Sequence, residues 1–255
     1  RLAMRQAAMA GRHRFKAYTA RLSRRDRELR GQEHELRRAV AQKKLFLEFQ
    51  PIMCLRELQP VGVEALVHWR HPQRGTMGPG EFLPLADEIG LGADIGTWVM
   101  EEACRQTAAW LDAMERPPEF AISVNVSGRQ IAQPDMADQV RTILERTGLA
   151  AERLLLDITE DALLFDPAAS LRALSRLKAM GVRITLDDFR AMDIPLGRLQ
   201  SFPLDNLKLD LSHLDRGLID PETVAAVRAA IDQARDLGLD VVAKGVEVPA
   251  HEALL

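Results

Sequence analysis

Seven short apolar runs, most of them separated by helix-length amphipathic segments, constrain this chain more than any other feature. They read LFLEFQPIM (45–53), VGVEALVHW (61–69), FAISVNVS (120–127), RLLLDITE (153–160), VRITLDDF (182–189), DNLKLDL (205–211) and LDVVAKGVE (239–247). Between them, residues 94–114, 135–147, 167–180 and 221–237 carry helical periodicity. Strands that are near-continuously apolar are buried on both faces, as parallel strands are when helices cover the sheet. Seven such repeats in roughly 210 residues imply an α/β fold and favour a (βα)8 TIM-type barrel over an open doubly wound sheet. An eighth unit is not evident, and periodicity alone does not establish closure. No strand is followed by a glycine-rich phosphate loop of the GxGxxG or GxxxxGK type, which argues against a Rossmann nucleotide site.

The polar residues fall where such a barrel builds its site. Glu64, Asn125, Asp157, Asp187 with Asp188, Lys208 and Glu247 each lie at or near the C-terminal end of a different strand candidate. A single polar residue at a strand end means only that the chain is leaving the core. Several carboxylates, one carboxamide and one lysine on successive strands mean more. Carboxylates forced together repel one another and shed charge unless a cation lies between them. Oxygen donors with no His/Cys cluster suit magnesium, manganese or calcium rather than zinc. Two such ions a few ångströms apart clamp a phosphodiester and activate water, and Lys208 is placed to orient that water or offset phosphate charge. A Schiff-base lysine is the competing chemistry, but it has no need of the Asp187–Asp188 pair.

Charge divides the chain. Residues 1–43 hold 13 Lys and Arg against 4 Asp and Glu, net +9, and the remaining 212 hold 21 against 33, net −12. The basic part has helical pairs Asp26/Arg30 and Glu33/Arg37 at i,i+4 spacing, and Leu22, Leu29 and Leu36 recur every seven residues. One narrow apolar stripe suits a solvated connecting helix better than a dimerising coiled coil or a nucleic-acid-binding arm. Cys54 and Cys104 have no metal-ligand spacing and read as small buried hydrophobes of a reducing, cytoplasmic compartment. No run of eighteen apolar residues is present, so no membrane contact is expected of this segment. The start at Arg1 and the end on HEALL suggest a piece of a longer protein, whose anchor, if any, lies outside it.

Taken in order, Glu64-Ala65-Leu66, HWRHPQRG (68–75), PGEFLPLADEIGLGADIGTWVM (79–100), SVNVS (123–127), LDITE (156–160), LDDF (186–189), LKLD (207–210) and AKGVE (243–247) resemble the EAL-domain family of cyclic di-GMP phosphodiesterases. The likeness runs from Lys44 to the end, and residues 1–20 resemble the closing helix of a GGDEF domain without its signature. This implies a GGDEF-like tail over 1–20, a basic helical linker over 21–43 and an EAL-like barrel over 44–255. It implies a modified (βα)8 barrel whose last βα unit is missing, two Mg2+ or Mn2+ ions and linearisation of cyclic di-GMP to pGpG. By position, Glu64, Asn125, Asp157 and Asp187 would hold one metal, and Asp187 with Asp188 would serve the second. Lys208 would orient water, Glu160 brace the loop after LDDF, and Glu247 match the last glutamate of AEGVE. Gln50, Leu66, His68 and Asp188 fall where the family contacts the dinucleotide.

Four departures qualify the resemblance. His68 replaces an arginine, and a ring cannot supply the bidentate fork that grips phosphate. Asp157 replaces a glutamate and reaches about 1.5 Å less far. RAMDIPL (190–196) replaces the family's GTGYSSL and lacks both glycines. Lys244 replaces the first glutamate of AEGVE, putting a positive charge where a divalent ion is expected. The expectation is a degenerate, non-hydrolysing domain that binds cyclic di-GMP, a protein partner or a second copy of itself; an active phosphodiesterase is the alternative.

Overall fold

The computed structural model describes residues 20–113, 119–191, 199–214 and 220–255. The expected GGDEF-like tail lies outside the described residues except for Ala20. Two compact units emerge: one runs to Phe46 and adds Val67–Gly92, and the other comprises Leu47–Leu66 with Ala93–Leu255.

In the first unit the described residues begin with helix α1 (Ala20–Ala41). Strands β1 (Leu45–Cys54) and β2 (Gln59–His71) pass from one unit to the other, and β3 (Gly75–Met77) pairs antiparallel with the end of β2. Helix α2 (Pro79–Glu88) follows, with Pro79 in its first turn and Glu81 accepting from the Gly78 amide. Leu36 of α1 is fully buried and Ala39 nearly so. Arg37 Nη2 donates to the Ile89 carbonyl at the end of α2, 2.9 Å away, satisfying one of the carbonyls a helix terminus leaves open. His71 is buried, and its Nδ1 accepts from the Gln73 and Arg74 amides at 3.2 Å each. Nε2 therefore bears the proton and faces Glu35 Oε2 at 3.3 Å. The second half of α1 is thus tied down by a core leucine, a carbonyl and a histidine.

The second unit holds helix α3 (Gly92–Asp112), strand β4 (Ala121–Asn125), helices α4 (Gly128–Ile131) and α5 (Met136–Thr147), β5 (Leu154–Thr159), α6 (Glu160–Leu164), α7 (Pro167–Ala179), β6 (Arg183–Phe189), β7 (Asn206–Asp210), α8 (Pro221–Asp236), β8 (Asp240–Lys244) and α9 (Pro249–Glu252). All seven strand candidates and all four long helix candidates form. Strand pairing runs β1-β2-β4-β5-β6-β7-β8, and β2 to β8 are joined in parallel. The expected series of βα units needs one correction. Only four residues, Leu55–Leu58, link β1 to β2, with the Leu58 amide closing on the Cys54 carbonyl. So short a link makes a hairpin, because a parallel connection needs a dozen residues or more.

Side chains alternate across regular strands, and on β5 the alternation separates two layers. Leu156 and Ile158 are fully buried toward the helices, as are Leu174 and Leu177 of α7, while Asp157 between them faces the other way. Strand β7 is buried at all five positions. Lys208 Nζ on β7 lies 2.7 Å from Glu64 Oε2 on β2, although three strands lie between them. In a flat sheet that separation is about 19 Å. The sheet of this unit therefore curls on itself, and the open-sheet alternative fails. No β8–β1 pairing occurs among the described residues.

Candidate functional site

The parallel register delivers the polar residues to one rim. Glu64 lies opposite Ser123, Asn125 opposite Asp157, Thr159 opposite Asp187, and Asp210 opposite Lys244. On β6 the register slips between Leu186 and Phe189, so that three residue steps there match two on β7. This is a bulge, and within it Asp188 has φ +57°, a left-handed conformation that Asp tolerates better than most residues. In a regular strand Asp187 and Asp188 would face opposite sides. Here both carboxylates meet Lys244.

Lys208 is the centre of the buried part. Its ammonium contacts Glu64 Oε2 at 2.7 Å and Asp157 Oδ2. The Ser123 hydroxyl donates to that same Asp157 oxygen, and Asn125 Nδ2 donates to Glu64 Oε1 at 2.8 Å. Burial pushes the Asp157 carboxyl up to about 6, and the neighbouring Glu64 charge adds to the rise against the pull of Lys208 and Ser123. Burial alone would drive the Lys208 ammonium down, but Asp157, Glu64 and Asp187 outweigh it and hold its proton on.

One carboxylate oxygen from each of Glu64, Asp157 and Asp187 can be chosen so that all three lie within 4.8 Å of one another. Asp157 Oδ1 is buried and has no hydrogen-bond partner. An orphaned buried carboxylate oxygen beside two further carboxylates fits a hard divalent cation, since burial without compensation is costly. The shorter reach of aspartate at position 157 does not remove it from the cluster.

The second half of the rim is different. Lys244 Nζ is 2.8 Å from Asp187 Oδ1 and touches Asp188 Oδ1. These two aspartates raise its affinity for the proton in spite of half-burial. The Asp188 amide also donates to Asp187 Oδ1 at 2.6 Å. Asp187 is buried while the Asp188 side chain is exposed. The residues present therefore do not fit a second cation between Asp187 and Asp188, where the ammonium already stands.

Glu247, three residues past β8, is exposed, and its amide donates to His251 Nδ1 at 3.4 Å. Glu160 opens α6, whose cap is the Thr159 hydroxyl, and most of the loop it was expected to brace, 192–198, lies outside the described residues. Gln50 is exposed on β1 and Leu66 half-buried on β2. His68 is half-buried, its ring 5.7 Å from that of Phe46. Cys104 is buried as expected, its thiol pushed up to about 12 by burial, whereas Cys54 is only half-buried. Two residues were overlooked in the sequence: Ser123, which holds Asp157, and Asp210, buried opposite Lys244. Each is two positions from a chosen residue on the same strand, so the period-2 alternation was the available signal.

The EAL-domain family model matches residues 33–255 of the chain. The chain belongs to the EAL-domain family. Among curated relatives, the Pseudomonas aeruginosa protein described as bifunctional diguanylate cyclase/cyclic di-GMP phosphodiesterase MucR is 40% identical over 222 residues, covering 87% of this chain and 32% of MucR. Cyclic di-GMP phosphodiesterase NbdA of the same organism is 35% identical over 255 residues, covering all of this chain and 32% of NbdA. The chain thus spans about a third of the length of these relatives. A solved structure of the PaMucR phosphodiesterase in complex with c-di-GMP superposes with a TM-score of 0.79 at 40% identity, covering 88% of this chain and 90% of that one. The Mycobacterium smegmatis DcpA EAL domain gives 0.67 at 27% identity, covering 82% and 84%. This EAL domain has the curled parallel sheet with surrounding helices of those structures.

Proposed function

We propose that this EAL domain is catalytically degenerate and serves cyclic di-GMP signalling by contacting a protein partner, a second copy of itself, or the dinucleotide without cleaving it. The observation that carries this reading is the Lys244 ammonium, paired with Asp187 and Asp188. Two-ion hydrolysis of a phosphodiester needs a second divalent cation at such a pair of carboxylates. At ~4 Å and an effective dielectric near 20, each unit of charge product is worth about 4 kcal/mol, so an ammonium excludes an ion from the same spot. One Mg2+ or Mn2+ would be held by Glu64, Asp157 and Asp187, with Asn125 beside them. Lys208 would keep these acids neutralised and face the phosphate, and Glu247 and Glu160 would line and support the rim. Gln50, Leu66 and His68 would contact the dinucleotide, with histidine gripping phosphate less firmly than arginine does.

An active phosphodiesterase is the second reading, favoured by the intact Glu64–Asp157–Asp187 donor set and by the likeness to MucR. Incubation with cyclic di-GMP and Mn2+ separates the two: the expected outcome is no pGpG above background, and turnover comparable to the MucR EAL domain would sink the degenerate reading. Calorimetry with cyclic di-GMP then tells a receptor from a protein-contact module. In this proposal the domain, 44–255, works in the cytoplasm at the end of a linker, 21–43, behind a GGDEF-like segment; nucleic acid is not a partner. Among the described residues no helix is long and apolar enough to cross a membrane.

A further inference from the structure

Asp187, Asp188 and Asp210 put three carboxylates on the adjoining ends of β6 and β7. Two basic side chains from different parts of the chain meet them. Lys244, register partner of Asp210 on β8, lies 2.8 Å from Asp187 Oδ1 and touches Asp188 Oδ1. Arg190, the first residue past β6, brings Nε to 3.5 Å from Asp210 Oδ2. The other oxygen of Asp210 accepts from the Ser212 amide at 2.9 Å and the Ser212 hydroxyl at 2.6 Å. Ser212, Lys244 and Arg190 together overcome the effect of burial and hold the Asp210 carboxyl below the usual range, so it stays ionised.

We infer that Lys244 and Arg190 together act as a built-in cation for the Asp187, Asp188 and Asp210 rim, which consequently takes no divalent ion of its own. This deepens the reading of Lys244 above and adds Arg190 and Asp210, to which no role has been assigned. Two unit charges equal the formal charge of one divalent ion. Between them they engage one oxygen of every carboxylate in the group, Lys244 meeting Asp187 and Asp188 and Arg190 meeting Asp210. Being covalently attached, they hold the bulge at Asp187–Asp188 and the start of the following segment in place whatever the metal concentration. The pairing also explains why an arginine is tolerated directly after β6: its guanidinium has a buried carboxylate to meet.

Manganese titration of the chain, followed by the electron paramagnetic resonance of free Mn2+ and by calorimetry, tests the inference. Wild type is expected to bind one equivalent, and K244R, which keeps the charge, also one. The double variant K244M/R190M is expected to bind two, the second at least tenfold more tightly than K244M alone. Two equivalents in wild type or in K244R, a single equivalent in the double variant, or equal second-site affinity in K244M and K244M/R190M would overturn it. Should the double variant fail to fold in chelator, it is expected to fold on adding Mn2+, and failure to do so counts against the inference. Turnover of cyclic di-GMP by wild type with one ion bound would sink the degenerate reading and leave this inference standing. Two ions in an inactive wild type would do the reverse.

Discussion

Lys208 shows at the scale of one residue how a buried charge can be needed without being a source of net stability. It sits between Glu64 and Asp157 in a place water does not reach. Removing one member of a buried ion cluster strands the others and typically costs 3–5 kcal/mol. K208M should lower the unfolding free energy by about that amount in chelator, and Mn2+ should restore part of it, as read by urea titration. A loss that Mn2+ does not reduce would detach Lys208 from the cation site. Asp157 gives a pH dependence with a definite sign. Its carboxyl is raised in the fold from an ordinary 3.8 to about 6, so its ionised form is disfavoured there. The penalty is absent below about pH 4, grows as pH rises toward 6 and is complete above it, amounting to about 3 kcal/mol at most. In chelator, wild type should therefore lose stability relative to D157N between pH 4 and pH 7. Parallel stability curves for the two proteins would contradict the placement of Asp157.

Elements carry the next level of constraint. The end of β8 turns at Gly245, which has φ +74° and whose absent Cβ would lie 2.4 Å from the Ser212 amide nitrogen. G245A should cost about 1–3 kcal/mol, since both the backbone conformation and the approach to Ser212 exclude a side chain. It should also loosen Lys244 from Asp187, visible as a lower pH for the loss of the ammonium signal in NMR titration; an unchanged titration would mean the turn does not position the lysine. Helix α1 is held through Leu36, Arg37 and the Glu35–His71 contact, so its second half behaves as part of the unit it touches. L36A should destabilise that unit by about 2–5 kcal/mol in thermal unfolding. A change within a few tenths of a kcal/mol would leave the helix a free linker.

For the whole molecule, the measure of function is whether cyclic di-GMP recognises the fold. A ligand that binds only the native state at 100 times its Kd adds about 2.7 kcal/mol, a rise of a few degrees in Tm for a chain of this size. The degenerate reading expects that rise, where it occurs, to come without pGpG. No rise at saturating ligand would leave protein contact as the domain's remaining role.

Sequence alone determined the strands, the long helices and the choice of Glu64, Asp157 and Asp187, whose carboxylates the fold brings together. Burial on both strand faces and the 3.6-residue period are local properties, and alternation carries them over short distances. The oddity of Lys244 among acids was likewise visible in AKGVE. What only the tertiary structure decided depends on distance between residues far apart in the chain. Curling of the sheet is fixed by the contact of Glu64 with Lys208 across 144 positions. The one-residue slip on β6 turns Asp187 and Asp188 to the same ammonium, against the alternation that the sequence implies. Ser123 and Asp210 joined the site because their partners lie on neighbouring strands, and no local pattern records which strands will be neighbours.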